Sequence, residues 1–345
     1  MRLGRGAGAL LAALALAGCA ATARHHGSLD PPRYHNTGTR TQSVATHGEW
    51  TRHLVRMQLG MFPEAGKLPP DHVLSREGTL AGLAKAEQAK VAVTWIGHAT
   101  ALIRMNGTWI LTDPAMRETV GAGPLRLARL APPMPAIEDL PPIDLILISH
   151  GDYDHLDVST LRRLAIRNPD AIVLAPQDNA RLLRSTGFRT IVELAWFERR
   201  RLDGLTVEAV PAVHGLRRVP EPHDSAHWAG WVIRDGGTAL YFAGDTGFGS
   251  VFETIRARSG RVDYALVPIG AYAPRRLEAP YHVTPEEAAD IARILGARVA
   301  VGVHWGTFPL SEEAPVEQRA RFLAAAGGGL HTVAPRVGET IVLVP

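Results

Sequence analysis

Six consecutive residues, His150-Gly151-Asp152-Tyr153-Asp154-His155, hold two imidazoles and two carboxylates. They follow residues 143–149, a short apolar run after Pro141-Pro142 that reads as a buried strand ending in a loop. On such a loop four side chains can converge on a cation. Three further candidates each close a hydrophobic run: His214 after Val210-Pro211-Ala212-Val213, Asp245 after Tyr241-Phe242-Ala243-Gly244, and His304 after residues 299–303. Rigid strands ending at one rim would aim all of them at a common point. Imidazoles and carboxylates without a thiolate suit Zn²⁺, Mn²⁺ or Fe²⁺ in a hydrolytic centre.

The elements that must position these groups can be read around them. Strands are expected at 91–96 and 101–105, then across the Asn106-Gly107 turn at 109–112. Others are expected at 172–175, 206–210, 230–234, 239–243, 264–268, 298–303 and 340–344, with helices at 158–166, 179–185, 285–295 and 315–325. Pro285 followed by Glu286 and Glu287 suits a helix start, by its fixed φ and by the dipole. Helical patterning at 50–59 and 80–89, interrupted by Pro63 and Pro69-Pro70, gives a helical N-terminal extension over 40–90 ahead of a main domain at 91–345. Strands early and late with helices between imply an α/β fold of two sheets packed face to face, helices outside.

The chain has 345 residues, 37 basic and 34 acidic, a formal net charge of +3 and 46% hydrophobic residues. That composition is globular and excludes wholesale disorder or a collagen-like repeat. A single cysteine excludes a disulfide framework and any Cys₄ zinc or iron–sulfur site. Arg2 and Arg5 precede an apolar run at 7–17, too short to span a bilayer. It ends in Leu16-Ala17-Gly18-Cys19, which resembles the lipobox of bacterial lipoproteins. Residues 1–18 are therefore expected to be a signal peptide and Cys19 the lipidated residue, with residues 19–39, including His25 and His26, a solvated tether. Ala20 in place of aspartate favours export to the outer membrane, facing the periplasm. Cleavage takes Arg2 and Arg5 from the formal +3 and leaves +1. So neutral a body is not expected to bind nucleic acid. Nothing in the sequence bears on oligomeric state.

The blocks Trp95-Ile96-Gly97-His98-Ala99-Thr100, Leu111-Thr112-Asp113-Pro114, Ala243-Gly244-Asp245-Thr246-Gly247, Pro268-Ile269-Gly270-Ala271-Tyr272, His282-Val283-Thr284-Pro285-Glu286-Glu287-Ala288 and His304-Trp305-Gly306-Thr307-Phe308 flank these candidates in order. Together with the 149–157 and 210–214 segments, they resemble the metallo-β-lactamase superfamily over residues 90–310. Within it they resemble the N-acylphosphatidylethanolamine-hydrolysing phospholipase D family and its bacterial relatives. The resemblance implies an αββα sandwich and two divalent metal ions, zinc first. One would take His150, residue 152 and His214. The other would take Asp154, His155 and His304, with Asp245 between them. The family has histidine at position 152, and this chain has aspartate. A carboxylate there can ligate, at the cost of Lewis acidity and with a shift towards Mn²⁺ or Fe²⁺.

The implied chemistry is hydrolysis by a metal-bridging hydroxide, with Asp154 orienting the nucleophile as well as binding metal. His282 aligns with a family histidine near the substrate cleft, and Tyr272 could line that cleft. Asp113 could hold a ligand imidazole's other N–H or be a turn aspartate before proline, and His98 reads as a structural histidine beside the site. The implied substrate is a phospholipid of the N-acylphosphatidylethanolamine type, cleaved as a phosphodiester at a membrane. A lactone, ester or β-lactam hydrolase of the same superfamily, another small molecule as substrate, and a metal-poor envelope lipoprotein without catalysis are the alternatives.

Overall fold

The structure is a computed structural model and describes residues 33–38, 45–123 and 125–345. The expected signal peptide, Cys19 and most of the tether lie outside the described residues.

Two seven-stranded sheets face each other. In the first, β1 (Val91–Gly97), β2 (Thr100–Met105) and β3 (Thr108–Thr112) form a meander. The small hairpin β4 (Thr119–Ala122) and β5 (Leu125–Ala128) then stands apart. The sheet continues through β6 (Leu145–Leu147), β7 (Ile172–Pro176) and β8 (Thr190–Leu194), all parallel, and β16 (Thr340–Val344) closes its other edge beside β1. The second sheet runs antiparallel through β9 (Arg199–Leu202), β10 (Leu205–Val210), β11 (Gly230–Arg234) and β12 (Ala239–Phe242). It then runs parallel through β13 (Tyr264–Pro268), β14 (Val299–Val303) and β15 (His331–Val333).

The alternation along each strand explains the layering. On β1, Val91, Val93 and Trp95 enter the core between the sheets, whereas Ala92 and Ile96 enter a second core on the outer face. Ile103 and Leu102 on β2, and Leu147 and Ile146 on β6, divide the same way. Strands buried on both faces read as unbroken apolar runs, which is how the sequence shows them. Helices α2 (Arg76–Gln88) and α3 (Val158–Arg167) contribute Leu83, Ala86, Leu161 and Leu164 to the outer core. On the far side, α5 (Val251–Ser259), α7 (Pro285–Leu295) and α8 (Pro315–Ala324) bring Phe252, Ile255, Ile291, Leu295 and Phe322 against the second sheet. The order helix, sheet, sheet, helix is the expected sandwich. The remaining helices are α1 (His47–Gln58) and the single turns α4 (Ala180–Leu183) and α6 (Arg275–Glu278). Among the described residues, no helix is long and apolar enough to cross a membrane.

Residues 33–38 depart from the solvated tether expected of them. The Tyr34 ring stacks on His227 at 4.3 Å, and its hydroxyl donates to Asp178 Oδ2 at 2.5 Å. Aromatic area and a satisfied hydroxyl hold this stretch on the body.

Candidate metal centre

The candidate ligands come from the C-terminal ends of strands in both sheets. Asp113 follows β3, the 150–155 loop follows β6, Asp245 follows β12 and His304 follows β14. Carboxyl ends of neighbouring parallel strands open into one crevice, which is why residues far apart in sequence meet there. The backbone is forced at several of these turns: His98, Asp113, Ala271 and His304 have φ of 55°, 35°, 64° and 61°. Four non-glycine residues in the left-handed region around one crevice mark a site where placement outweighs local strain.

Ligand-type atoms converge in three groups, within 4.8 Å inside each: His98, Asp154, His155 and His304; His150, His214 and Asp245; and Asp245, His282 and His304. Asp245 is common to the last two and also reaches the first, with Oδ2 3.1 Å from His155 Nε2 and Oδ1 3.1 Å from His304 Nε2. Six of the seven expected ligands, all but Asp152, fall in these groups. Asp152 stands at the edge of the His150 group: its Oδ1 accepts the Arg217 backbone N–H at 2.6 Å, and its Oδ2 lies 3.7 Å from His150 Nε2. That bond engages one oxygen of Asp152 and leaves Oδ2 on the His150 side of the cleft, which Asp152 lines with His214 and Asp245.

The surroundings fix His155, His150, His214 and His98. Asp113, fully buried, accepts from His155 Nδ1 at 2.8 Å and from the Ser149 N–H and hydroxyl at 2.6 and 2.5 Å. The Ser149 hydroxyl in turn lies 2.9 Å from His150 Nδ1. The Tyr281 carbonyl can only accept, so His214 Nδ1, 3.2 Å away, carries the proton and Nε2 is left for the centre. His98 is nearer the centre than a structural histidine need be: its Nε2 bonds Asp154 Oδ2 at 2.9 Å and its ring lies 3.9 Å from that of His304. Arg218, buried, donates to the carbonyls of Gly151 and Leu156 and braces the ligand loop from below.

The electrostatics favour a cation. Burial, and then His304, push His98 down to about 3. Burial lowers His282 to about 4, and burial with His150 beside it holds His214 well below the usual imidazole range. Burial works against ionised Asp154 and Asp245, yet His155 and their other imidazole neighbours hold both carboxyls far below the usual range. Burial also opposes a charged His155, but Asp245 and Asp154 outweigh it and raise that group strongly. Neutral imidazoles and ionised carboxylates are the forms that bind metal, and the field that would protonate His155 equally attracts a cation. The residues fit a metal on a second observation. His150 Nε2, His155 Nε2, His304 Nε2, His282 Nδ1 and Asp245 Oδ1 are buried and make no well-aligned hydrogen bond among the described residues, the 3.1 Å approaches to Asp245 included. Buried polar atoms are otherwise paired, so five orphans aimed into one crevice call for a ligand.

Above the centre lies a cleft of about 240 Å³, walled by Trp50, His53, Tyr281, His282 and Arg217 together with Asp154 and Asp245. His282 lines this cleft, its Nδ1 3.8 Å from Asp245 Oδ2. Tyr272 is not: Ala271 faces the cleft, and Tyr272 turns away to bond Glu317 and Arg321 on α8. The positive φ of Ala271 swings the next side chain outwards. Sequence reasoning missed Trp50, His53, Tyr281 and Arg217. Arg217 stacks between the rings of Tyr281 (4.0 Å) and Trp50 (4.7 Å), a cation–π pairing. His53 lies 3.3 Å from Glu278, whose carboxyl is raised by burial. Only the position of Tyr281 beside His282 offered a signal.

The fold and this centre define a metal-dependent hydrolase class. The family model described as "Beta-lactamase superfamily domain" matches residues 108–305, so the chain belongs to the metallo-β-lactamase superfamily of metal-dependent hydrolases. The chain is 35% identical over 231 residues to "N-acyl-phosphatidylethanolamine-hydrolyzing phospholipase D 1" of Caenorhabditis elegans, covering 63% of this chain and 64% of that one. It is 37% identical over 268 residues to "Uncharacterized protein Mb0930" of Mycobacterium bovis, covering 74% and 70%. Among solved structures, an isothiocyanate hydrolase from Delia radicum gut bacteria shares the fold, with a TM-score of 0.59 at 22% identity over 73% of this chain and 99% of that one.

Proposed function

We propose that the chain is a dinuclear metallohydrolase of phospholipase D type, acting on N-acylphosphatidylethanolamine-like lipids. The observation that carries this reading is an apolar groove of about 190 Å³ continuous with the metal cleft. Leu54, Met57, Val120, Leu127 and Leu310 line it, and Asp152, Asp154 and Arg217 belong to both spaces. A substrate with an acyl chain beside an anionic phosphodiester matches that pairing. The 35% identity to an enzyme so named supports the same class.

Asp154, His155 and His304 would hold one ion and His150, Asp152 and His214 the other, with Asp245 beside both. Bound there, two divalent cations supply a water of lowered pKa and polarise a phosphoryl oxygen. The chain's own groups do the rest. Asp154, fixed by His98, can accept a hydrogen bond from the attacking water. His282, held neutral by burial, faces the cleft where it can donate to or accept from the substrate. Arg217, flanked by two rings, presents a permanent cation to the phosphate while Trp50 and Tyr281 keep water from its faces. We further propose that Cys19 carries lipid and holds the enzyme at the envelope membrane, where such a substrate resides.

The test is incubation of purified, zinc-loaded protein with N-acylphosphatidylethanolamine. Release of phosphatidic acid and N-acylethanolamine, abolished by chelation and restored by Zn²⁺, is the expected result. No release with zinc confirmed in place, together with turnover of a lactone or ester, would move the assignment to that chemistry.

A further inference from the structure

We infer that residues 33–38 are part of the metal centre, and that Asn36 is a positioning residue for His214. The Asn36 carboxamide reads both peptide groups of that histidine. Its Nδ2 donates to the His214 carbonyl at 2.8 Å, and its Oδ1 accepts the His214 N–H at 3.0 Å. The same Oδ1 accepts the indole N–H of Trp228 at 2.9 Å, and that indole also donates to the Ala212 carbonyl at 3.0 Å. One half-buried side chain thus ties together the 212–214 loop and a tryptophan packed in the core.

The neighbours of His214 have partners of their own. Val213 bonds Thr246 Oγ1 and the Gly247 N–H, and the His214 ring bonds the Tyr281 carbonyl. The peptide groups of His214 itself are met by Asn36, which therefore sets where the Cα stands and how deep the imidazole reaches. The segment is fastened on both sides of this contact. Before it, Arg33 and Tyr34 both engage Asp178, at 2.9 and 2.5 Å, and Tyr34 stacks on His227. After it, Gly38 passes so close to Val251 that a Cβ would stand 3.1 Å from the Val251 nitrogen, with φ at +89°. A strand of chain docked at three successive points is a strap, and its middle point grips a ligand.

This inference rests on reading His214 as a metal ligand. Groups that orient a ligand from outside contribute about 10–100-fold to metal affinity. The test is zinc alone, titrated into the metal-free full chain by calorimetry with a competing chelator, so that each zinc is read separately. Asn36→Ala is expected to weaken one zinc about tenfold or more and leave the other at its original affinity. Asn36→Asp keeps the acceptor for the His214 and Trp228 N–H groups but loses the donor to the His214 carbonyl. It should fall between wild type and alanine, and it tests the same bonds should the alanine chain not fold. His214→Ala is the control and should lose one zinc. If Asn36→Ala binds both zincs within twofold of wild type while His214→Ala loses one, the strap has no such role and the metal reading stands. Equal weakening of both zincs by Asn36→Ala would mark a general loss of structure and also overturn the inference. If His214→Ala keeps both zincs, the metal reading falls and the strap's role falls with it.

Discussion

Asp113 organises the imidazoles without reaching the centre itself. Its carboxylate is fully buried and accepts from His155 and from Ser149, whose hydroxyl meets His150. An amide in its place can offer one acceptor oxygen where three donors converge, so Asp113→Asn should lower zinc affinity about 10–100-fold with the fold retained. Chelator competition measures this, and unchanged affinity would count against the role. Asp152 is held from one side only. With Oδ1 on the Arg217 N–H and Oδ2 3.7 Å from His150 Nε2, it is placed to serve the ion beside His150, so Asp152→Asn should weaken one zinc about tenfold, as Asp154→Asn should weaken the other. Unchanged affinity for both zincs in Asp152→Asn would show that this carboxylate does not ligate. The 150–155 candidates were legible because they crowd one loop. The anchoring of Asp152 was not, since it depends on a peptide group 65 positions away.

At the scale of elements, legibility followed burial. Strands with two covered faces, such as β1 and β13, stand out as apolar runs and were found within a residue or two. Edge strand β9, three exposed arginines and a leucine, shows no alternation and passed for a loop. The edge strands β8 and β15, the β4–β5 hairpin and α5 were missed as well. Helix starts were placed late for a related reason. Thr46 closes a capping box on α1 and Ser75 caps α2, and both caps lie upstream of the apolar pattern that reveals the helix. Gly270, after β13, shows what close packing of elements demands. A Cβ there would strike the His304 carbonyl and come within 3.1 Å of Gln318 Nε2. Gly270→Ala should therefore destabilise the zinc-free protein by about 1–3 kcal/mol, read by urea denaturation, and weaken zinc by displacing His304. A stable variant with unchanged zinc affinity would show that the β14 end can yield without moving its histidine.

The whole molecule brings three distant regions to one rim. The sandwich and its ligand loops were foreseeable, because strand ends and chemistry coincide in the sequence. The cover was not: α1, the β4–β5 hairpin and the 308–310 segment meet only in the fold, forming the groove from Leu54, Met57, Val120, Leu127 and Leu310. What looked like an extension ahead of the catalytic domain thus supplies a wall of the cleft. Leu54 is 39% exposed in the free protein, where burial against an acyl chain would stabilise a complex and its loss should cost the fold little. Covering a leucine is worth about 1.5–3 kcal/mol when complete, so covering the 39% still exposed is worth roughly 0.6–1.2 kcal/mol, or about three- to sevenfold in binding. Leu54→Asp should accordingly raise KM for a long-chain N-acylphosphatidylethanolamine in mixed micelles at least about threefold, with zinc content unchanged. A water-soluble phosphodiester lacking the acyl chain should be hydrolysed at the wild-type rate. Equal losses on both substrates would place the defect in the centre, and no loss on either would remove the groove from substrate recognition.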